Sequence, residues 1–273
     1  MAERAATRKR SRLLPCLAAA AALAPGLAGA ADDLTALKKD GILRVLVVEG
    51  SPAFVATKPA ERPGFEWEIL EGFGRLHGLR PEVVEVASWS DLIPALVAGK
   101  GHVAAGGIND TPARRLLVDF TDEVFPTRDV VVTRRPTLPV LTLDELRALK
   151  VGTIRGTTLA ERVAEAKVPR VKIDDTLPAT GFAEALRSGR VGAVVDGVED
   201  ALLLQQADPA LQLGMFLGPP ASMAMGVRKE SPALRDALSE YIRSVRRTGM
   251  WGRLVVKYFG ESAASVLKKA RGD

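Results

Sequence analysis

The sequence predicts an α/β protein of two lobes with a ligand cleft between them. Strand-like and helix-like segments alternate along its length, as in layered α/β folds. Beyond an N-terminal leader, roughly 240 residues remain, long for a single core. Two extended crossings, near residues 130–133 and 222–227, set a middle section apart from both chain ends.

Residues 1–30 read as an export leader. Arg4, Arg8, Lys9, Arg10 and Arg12 make a basic start, 13–27 an apolar run, and Ala28-Gly29-Ala30 a small-residue cleavage site. The run is too short and alanine-rich for a membrane span. Pro15 precedes Cys16 and the apolar run follows it, which argues against a lipid anchor. The expected location is therefore the periplasm, with a mature start near Ala31.

The first block then opens with a buried strand at 42–48. A helix over 66–77 follows, with Ile69, Leu70, Phe73 and Leu76 on one face and Trp67 in the core. Gly72 and Gly74 lower its helix propensity without an evident reason. Strand 81–86, helix 90–98 and strand 102–106 complete the block. The second block, after Arg134-Arg135-Pro136, reads as helix 143–149, strand 151–154, helix 157–166, strand 170–173, helix 181–188, strand 191–195 and helix 198–206.

After Gly218-Pro219-Pro220 the chain is extended again at 222–227. A helix capped by Ser231, with Pro232 in its first turn, carries the stripe Leu234, Leu238, Ile242 and Val245. A final helix holds Trp251, Leu254, Val255 and Phe259, and the Lys268-Lys269-Ala270-Arg271 tail is a solvated end. Residues 31–133 with 223–273 form lobe 1 and 134–222 form lobe 2, so the crossings permit hinge closure.

Composition excludes several function classes. The chain has 38 basic and 33 acidic residues, and the leader holds five of the former and one of the latter. The mature chain is thus near neutral, which removes the case for nucleic acid. The single cysteine, Cys16, lies in the leader, so disulfides, thiolate catalysis and cysteine metal sites are excluded from the mature protein. His77 at a helix end and His102 at the start of a strand lack partners at metal spacing, and no metal or cofactor is expected.

The chemistry concentrates in Gly106-Gly107-Ile108-Asn109-Asp110-Thr111-Pro112-Ala113-Arg114 and the following Val118-Asp119-Phe120-Thr121-Asp122. This reads as a strand end, a glycine turn with free N–H groups, and a helix capped by Thr111 with Pro112 first. Such a turn holds the Arg114 guanidinium beside the Asn109 amide, a trap for a carboxylate. The plainer alternative pairs Arg114 with Asp119 or Asp122.

With these segments goes an ordered set of others: Gly41-Ile42-Leu43-Arg44-Val45, Pro63-Gly64-Phe65-Glu66, Trp89-Ser90-Asp91-Leu92, Val151-Gly152-Thr153, Gly189-Arg190-Val191 and Gly226-Val227-Arg228-Lys229. Together they resemble the bacterial extracellular solute-binding proteins of the polar amino acid type, partners of ABC importers. The resemblance implies the type II periplasmic-binding-protein fold and a monomer that binds a small molecule without turning it over. It places Arg114 on the carboxylate-binding arginine, Asn109 on a small hydroxyl position, and Gly107 at a backbone contact. Trp89 and Phe54 fall where aromatic or large apolar residues cover the ligand, with Ser51 in place of the directly stacking ring. Thr157 and Thr158 open a helix whose amides would neutralise the carboxylate from the other lobe.

The departure lies at the ammonium site. Relatives end the 191–195 strand with an acid at the position of Gly197. Either Asp196 reaches the pocket after a small register change, or the amino group has no acid partner, which is costly when buried. Glu199 and Asp200 are expected on the exposed face of the next helix. Leu217-Gly218-Pro219-Pro220 and Val255-Val256-Lys257-Tyr258-Phe259-Gly260 are also similar to the binding module of membrane-bound lytic transglycosylases; the thirteen residues after Gly260 are too few for their catalytic domain. An enzyme like the periplasmic cyclohexadienyl dehydratases would need a poised acid or base, for which Glu49 and Asp196 are the candidates.

Overall fold

A computed structural model describes residues 32–48, 53–56 and 62–272. The leader, Glu49 and Ser51 lie outside the described residues.

Helix α1 (Asp32–Asp40) leads into β1 (Ile42–Val48), whose apolar run is buried on both faces from Val45 on. Helix α2 (Phe65–His77) buries Ile69, Leu70 and Phe73, whereas Leu76 is largely exposed. It ends at left-handed Gly78, whose N–H returns to the Gly74 carbonyl. Gly72 now has a reason: a side chain there would strike the Tyr241 hydroxyl. Strand β2 (Arg80–Val86), helix α3 (Trp89–Val97) and strand β3 (Val103–Ala104) follow. Next come the short α4 (Pro112–Arg115), β4 (Asp119–Phe120) and the long β5 (Phe125–Arg134).

The middle of the chain supplies α5 (Leu143–Ala148), β6 (Val151–Gly152), α6 (Thr158–Glu165), β7 (Ile173–Asp174), α7 (Phe182–Arg187), β8 (Ala193–Gly197) and α8 (Val198–Ala207). Residues 170–172 form a 3-10 turn where a strand was expected. Strand β9 (Leu211–Met223) runs through Gly218-Pro219-Pro220, which reads as a break in sequence. It stands at a sheet edge, and its pairing with β5 shifts register between Thr127–Ala221 and Asp129–Leu217, so the prolines fall in an irregular stretch of the ladder. Strand β10 (Gly226–Val227) precedes α9 (Pro232–Arg247) and α10 (Met250–Phe259).

Two expectations about the C-terminal region need correction. Ser231 makes no side-chain cap to α9; Asp33 of α1 accepts from the Leu234 N–H at 3.1 Å instead. The basic tail is not a loose end but helix α11 (Ala263–Arg271), which buries Ala263, Leu267 and Ala270. Sequence reading weighed its charges and missed this apolar stripe.

The strands form two five-stranded sheets, ordered β2-β1-β3-β10-β4 and β7-β6-β8-β5-β9. In the first, β1, β2 and β3 are parallel and β10 is antiparallel to β3 and β4. In the second, β6, β7 and β8 are parallel and β5 and β9 run against them. One apolar core continues from Val45 and Val47 through Phe54, Phe65, Phe125 and Phe259 to Val130, Val132 and Val194.

Candidate functional site

The strand order sets which segments leave the carboxyl edge of each sheet. Parallel strands of the first sheet release Trp89 after β2, the 105–109 turn after β3 and residues 121–124 after β4. Parallel strands of the second release residues 153–157 after β6 and Gly197–Glu199 at the end of β8. Strand β5 pairs antiparallel with β8, Asp129 opposite Gly197, so its Phe125 end projects past that edge toward β4. Segments 121–125 and 223–225 therefore join the carboxyl edge of one sheet to that of the other. Open α/β sheets bind ligands at such edges.

On the first edge, Thr111 caps α4 as expected, its Oγ1 accepting from the Arg114 N–H at 3.3 Å with Pro112 in the first turn. Arg114 is half-buried, and its Nη1 donates to the main-chain carbonyl of Asn109 at 2.7 Å, not to the Asn109 amide. Burial pulls its ionisation below the usual arginine range. Asp119 and Asp122, its plain alternatives, pair with Arg235 and Arg243, and Asp110 pairs with Arg115. Among the described residues no carboxylate pairs with Arg114. A neighbouring charged groove of about 840 Å³ takes Arg115, not Arg114, into its wall.

The glycine turn differs from expectation. Gly106 and Gly107 adopt positive φ, as the turn requires, but their N–H groups are not free. Gly106 donates to Glu66 Oε2 at 2.6 Å and Gly107 to Glu66 Oε1 at 3.3 Å. Glu66 is fully buried; desolvation pushes its carboxyl up to about 7, against the two N–H bonds that lower it. A glutamate in the first turn of an amphipathic helix reads as solvated, so sequence reasoning missed it.

Phe54 is also a correction. Only 2 % exposed, it packs edge-on to Phe65 and Phe125, and a Cβ on Gly107 would lie 3.0 Å from its Cδ2. It supports the turn from below and cannot cover a ligand. Trp89, by contrast, is 41 % exposed at the start of α3, and Asn109 is exposed.

On the second edge, Thr157 caps α6: its Oγ1 accepts from the Ala160 N–H at 3.4 Å and donates to the Ile154 carbonyl at 2.6 Å. Thr158 is the exposed first residue of the helix. The other first-turn amides and the positive end of the helix dipole are what this terminus offers an anion. Asp196 is buried, and its Oδ1 accepts from the Gly197 N–H at 3.0 Å. Desolvation, then the charges of Asp200 and Glu199, hold its carboxyl well above the carboxylate range.

Glu199, expected outside, is buried. Its carboxylate accepts from Thr127 Oγ1 at 2.6 Å and stands over Gly197, where a Cβ would be 2.3 Å from Oε1. Burial and Asp200 raise its ionisation as well. The acid missing at position 197 is thus replaced in space by one two residues on. Only the absence of a side chain at Gly197 permits this, a signal that lay in the sequence unused. Asp129, held by Arg162 at 3.1 Å, completes the acidic group.

The chain matches the family described as bacterial extracellular solute-binding proteins, family 3, over residues 43–261. It belongs to that family. Among curated relatives, a membrane-bound lytic murein transglycosylase F of Pseudomonas fluorescens is 24 % identical over 83 % of this chain and 48 % of its own length. The amino-acid-binding protein AabA of Dichelobacter nodosus is 25 % identical over 72 % of this chain and 79 % of its own. This chain spans about half the length of the transglycosylase relatives it matches. Among solved structures, the ancestral cationic amino acid solute-binding protein AncCDT-1 superposes with a TM-score of 0.75 at 23 % identity, covering 83 % of this chain and 99 % of that one. A second structure of AncCDT-1 is described as a precursor of cyclohexadienyl dehydratase. An ancestral arginine-binding protein bound to glutamine reaches 0.63 at 26 % identity, covering 81 % and 99 %. The type II binding-protein fold follows from these superpositions. No helix of the described residues is long and apolar enough to cross a membrane.

Proposed function

We propose that this solute-binding protein captures a small, amino-acid-like carboxylate in the periplasm and presents it to an ABC permease. Residues 1–30 direct export, and lobes 31–133 with 223–273 and 134–222 close on the ligand as a monomer. The observation that carries the reading is Arg114: half-buried, tied to the Asn109 carbonyl, and without a carboxylate partner among the described residues. The guanidinium keeps donors for a bidentate grip. Trp89 covers the ligand from the first edge, and Thr157 and Thr158 add the α6 terminus from the second. Gly107 contributes close approach rather than a donor, since Glu66 holds its N–H. Asp196 and Glu199 face the ligand's ammonium, whose charge would favour their ionised forms.

A thermal-shift screen of amino acids, keto acids and small peptides tests the reading. A ligand at about 100 times its Kd stabilises by about 2.7 kcal/mol. Arg114→Ala should abolish the shift, a loss of roughly 100-fold or more in affinity, and leave the melting of the free protein in place. Unchanged calorimetric affinity in that variant refutes the assignment. A periplasmic dehydratase is the second reading, favoured by the buried carboxyls of Asp196 and Glu199, both raised by desolvation toward the range a general acid needs. Turnover of prephenate or arogenate would establish it.

A further inference from the structure

We propose that Glu66 is the positioning residue of the Arg114 grip, holding the guanidinium in place through the Gly106–Gly107 turn. The inference rests on the reading of Arg114 as the carboxylate-binding group. Glu66 sits in the first turn of α2 and is itself locked from behind. Its own N–H and that of Trp67 donate to the Phe54 carbonyl at 2.9 and 3.2 Å, and the Phe65 N–H donates to the Ala53 carbonyl at 2.7 Å. The Gly64 N–H donates to the Tyr258 hydroxyl at 3.1 Å.

From this anchor the carboxylate reaches two consecutive turn amides, one on each oxygen. An ionised carboxylate is acceptor-only and suits two donors; a protonated carboxyl or a carboxamide turns one donor of its own toward an N–H. Two residues beyond Gly107, the Asn109 carbonyl receives Arg114 Nη1. The path from Glu66 to the guanidinium is therefore two hydrogen bonds, a short stretch of main chain and one more hydrogen bond. Phe54 beneath Gly107 closes the turn's other route of escape. The turn has lost two donors to this arrangement, and a buried acid would be an expensive way merely to fill space.

Amide hydrogen exchange and the side-chain ¹⁵N signals of the arginines, both read in ligand-free protein, test the proposal independently of whether an amino acid binds. Above about pH 7, where Glu66 is ionised, the Gly106 and Gly107 amides of the native chain should be protected, although both lie in a turn. In Glu66→Gln, which keeps the shape but offers one acceptor oxygen, one of the two should exchange at least about tenfold faster. The Arg114 guanidinium signal should broaden as well. Arg115, held by Asp110, should keep its signal, as should β1 its protection. Glu66→Asp, retaining both acceptor oxygens, should recover part of the Arg114 signal. Unprotected glycine amides in the native chain, or an Arg114 signal indifferent to Glu66→Gln, would overturn the assignment.

Discussion

The two carboxyl edges are built on opposite electrostatic plans. The first offers a cation: half-buried Arg114 pairs with no acid among the described residues, and Glu66, the acid bonded to the glycine turn, points inward to hold main-chain amides. The second gathers Asp129, Asp196, Glu199 and Asp200, with Arg162 pairing only the first. A ligand with a negative and a positive end would be oriented by this contrast before any shape is read. The first holds its cation, in α4, by one hydrogen bond; the second buries Asp196 at the end of β8 and Glu199 in the first turn of α8, while Asp200 is exposed as the sequence predicts. Removing a group from the first edge should cost binding; altering the second should change stability too.

The largest effect that would break the comparison is on stability at the first edge. Phe54→Ala removes a buried ring from beneath Gly107 and should cost about 3–5 kcal/mol, read as a lowered denaturant midpoint. A near-native midpoint would mean that Phe54 belongs to the ligand surface after all.

The next is the dependence on pH. Glu66 and Glu199 ionise at higher pH in the folded than in the unfolded chain. The folded state then holds the extra protons, and stability falls as pH rises through about 7. His102, accepting from the Arg44 N–H at 3.0 Å and pushed down to about 4 by burial, acts the opposite way, but only below the usual histidine range. Between about pH 6.5 and 8.5 the loss should be roughly 1–3 kcal/mol, visible as a lower Tm. Glu66→Gln and Glu199→Gln should each flatten the slope, apportioning it between the edges. A Tm that rises across that interval contradicts the burial of both acids.

The smallest concerns Gly197 alone. In Gly197→Ala the new methyl displaces the end of the Glu199 side chain from Thr127. Affinity for an ammonium-bearing ligand should drop about tenfold, near 1.4 kcal/mol, while a ligand lacking the amino group is unaffected. Equal losses for both ligands in calorimetry would show that the second edge does not sense the cation.

Much of this arrangement was legible beforehand. The alternation of elements and the Thr111–Pro112 cap come from local patterns that the fold preserves, whereas Asp119 and Asp122 are drawn from Arg114 by Arg235 and Arg243 of α9, which no local pattern announces. The hidden part is where tertiary context overrides local preference. Glu66 and Glu199 occupy helix starts, where an acid is favourable whether it points to solvent or inward, and nothing in their spacing tells which. Phe54 stands in Ala53-Phe54-Val55-Ala56, too short to show a helical or strand period, and only the converging rings of Phe65, Phe125 and Phe259 bury it. Strand β9 was hidden by Pro219 and Pro220 because a proline's meaning depends on whether a neighbour strand needs its N–H.

Those same prolines bear on the protein's life at high concentration. Strand β9 ends one sheet; the Val140 segment takes up the Met215 N–H, and among the described residues no strand pairs with the rest of its outer side. Successive N–H positions of a strand point to opposite sides, so one of the two adjacent exposed prolines, Pro219 and Pro220, interrupts that outer row. A second molecule cannot add itself there as an extra strand over the full length, so the open border is guarded against runaway self-assembly.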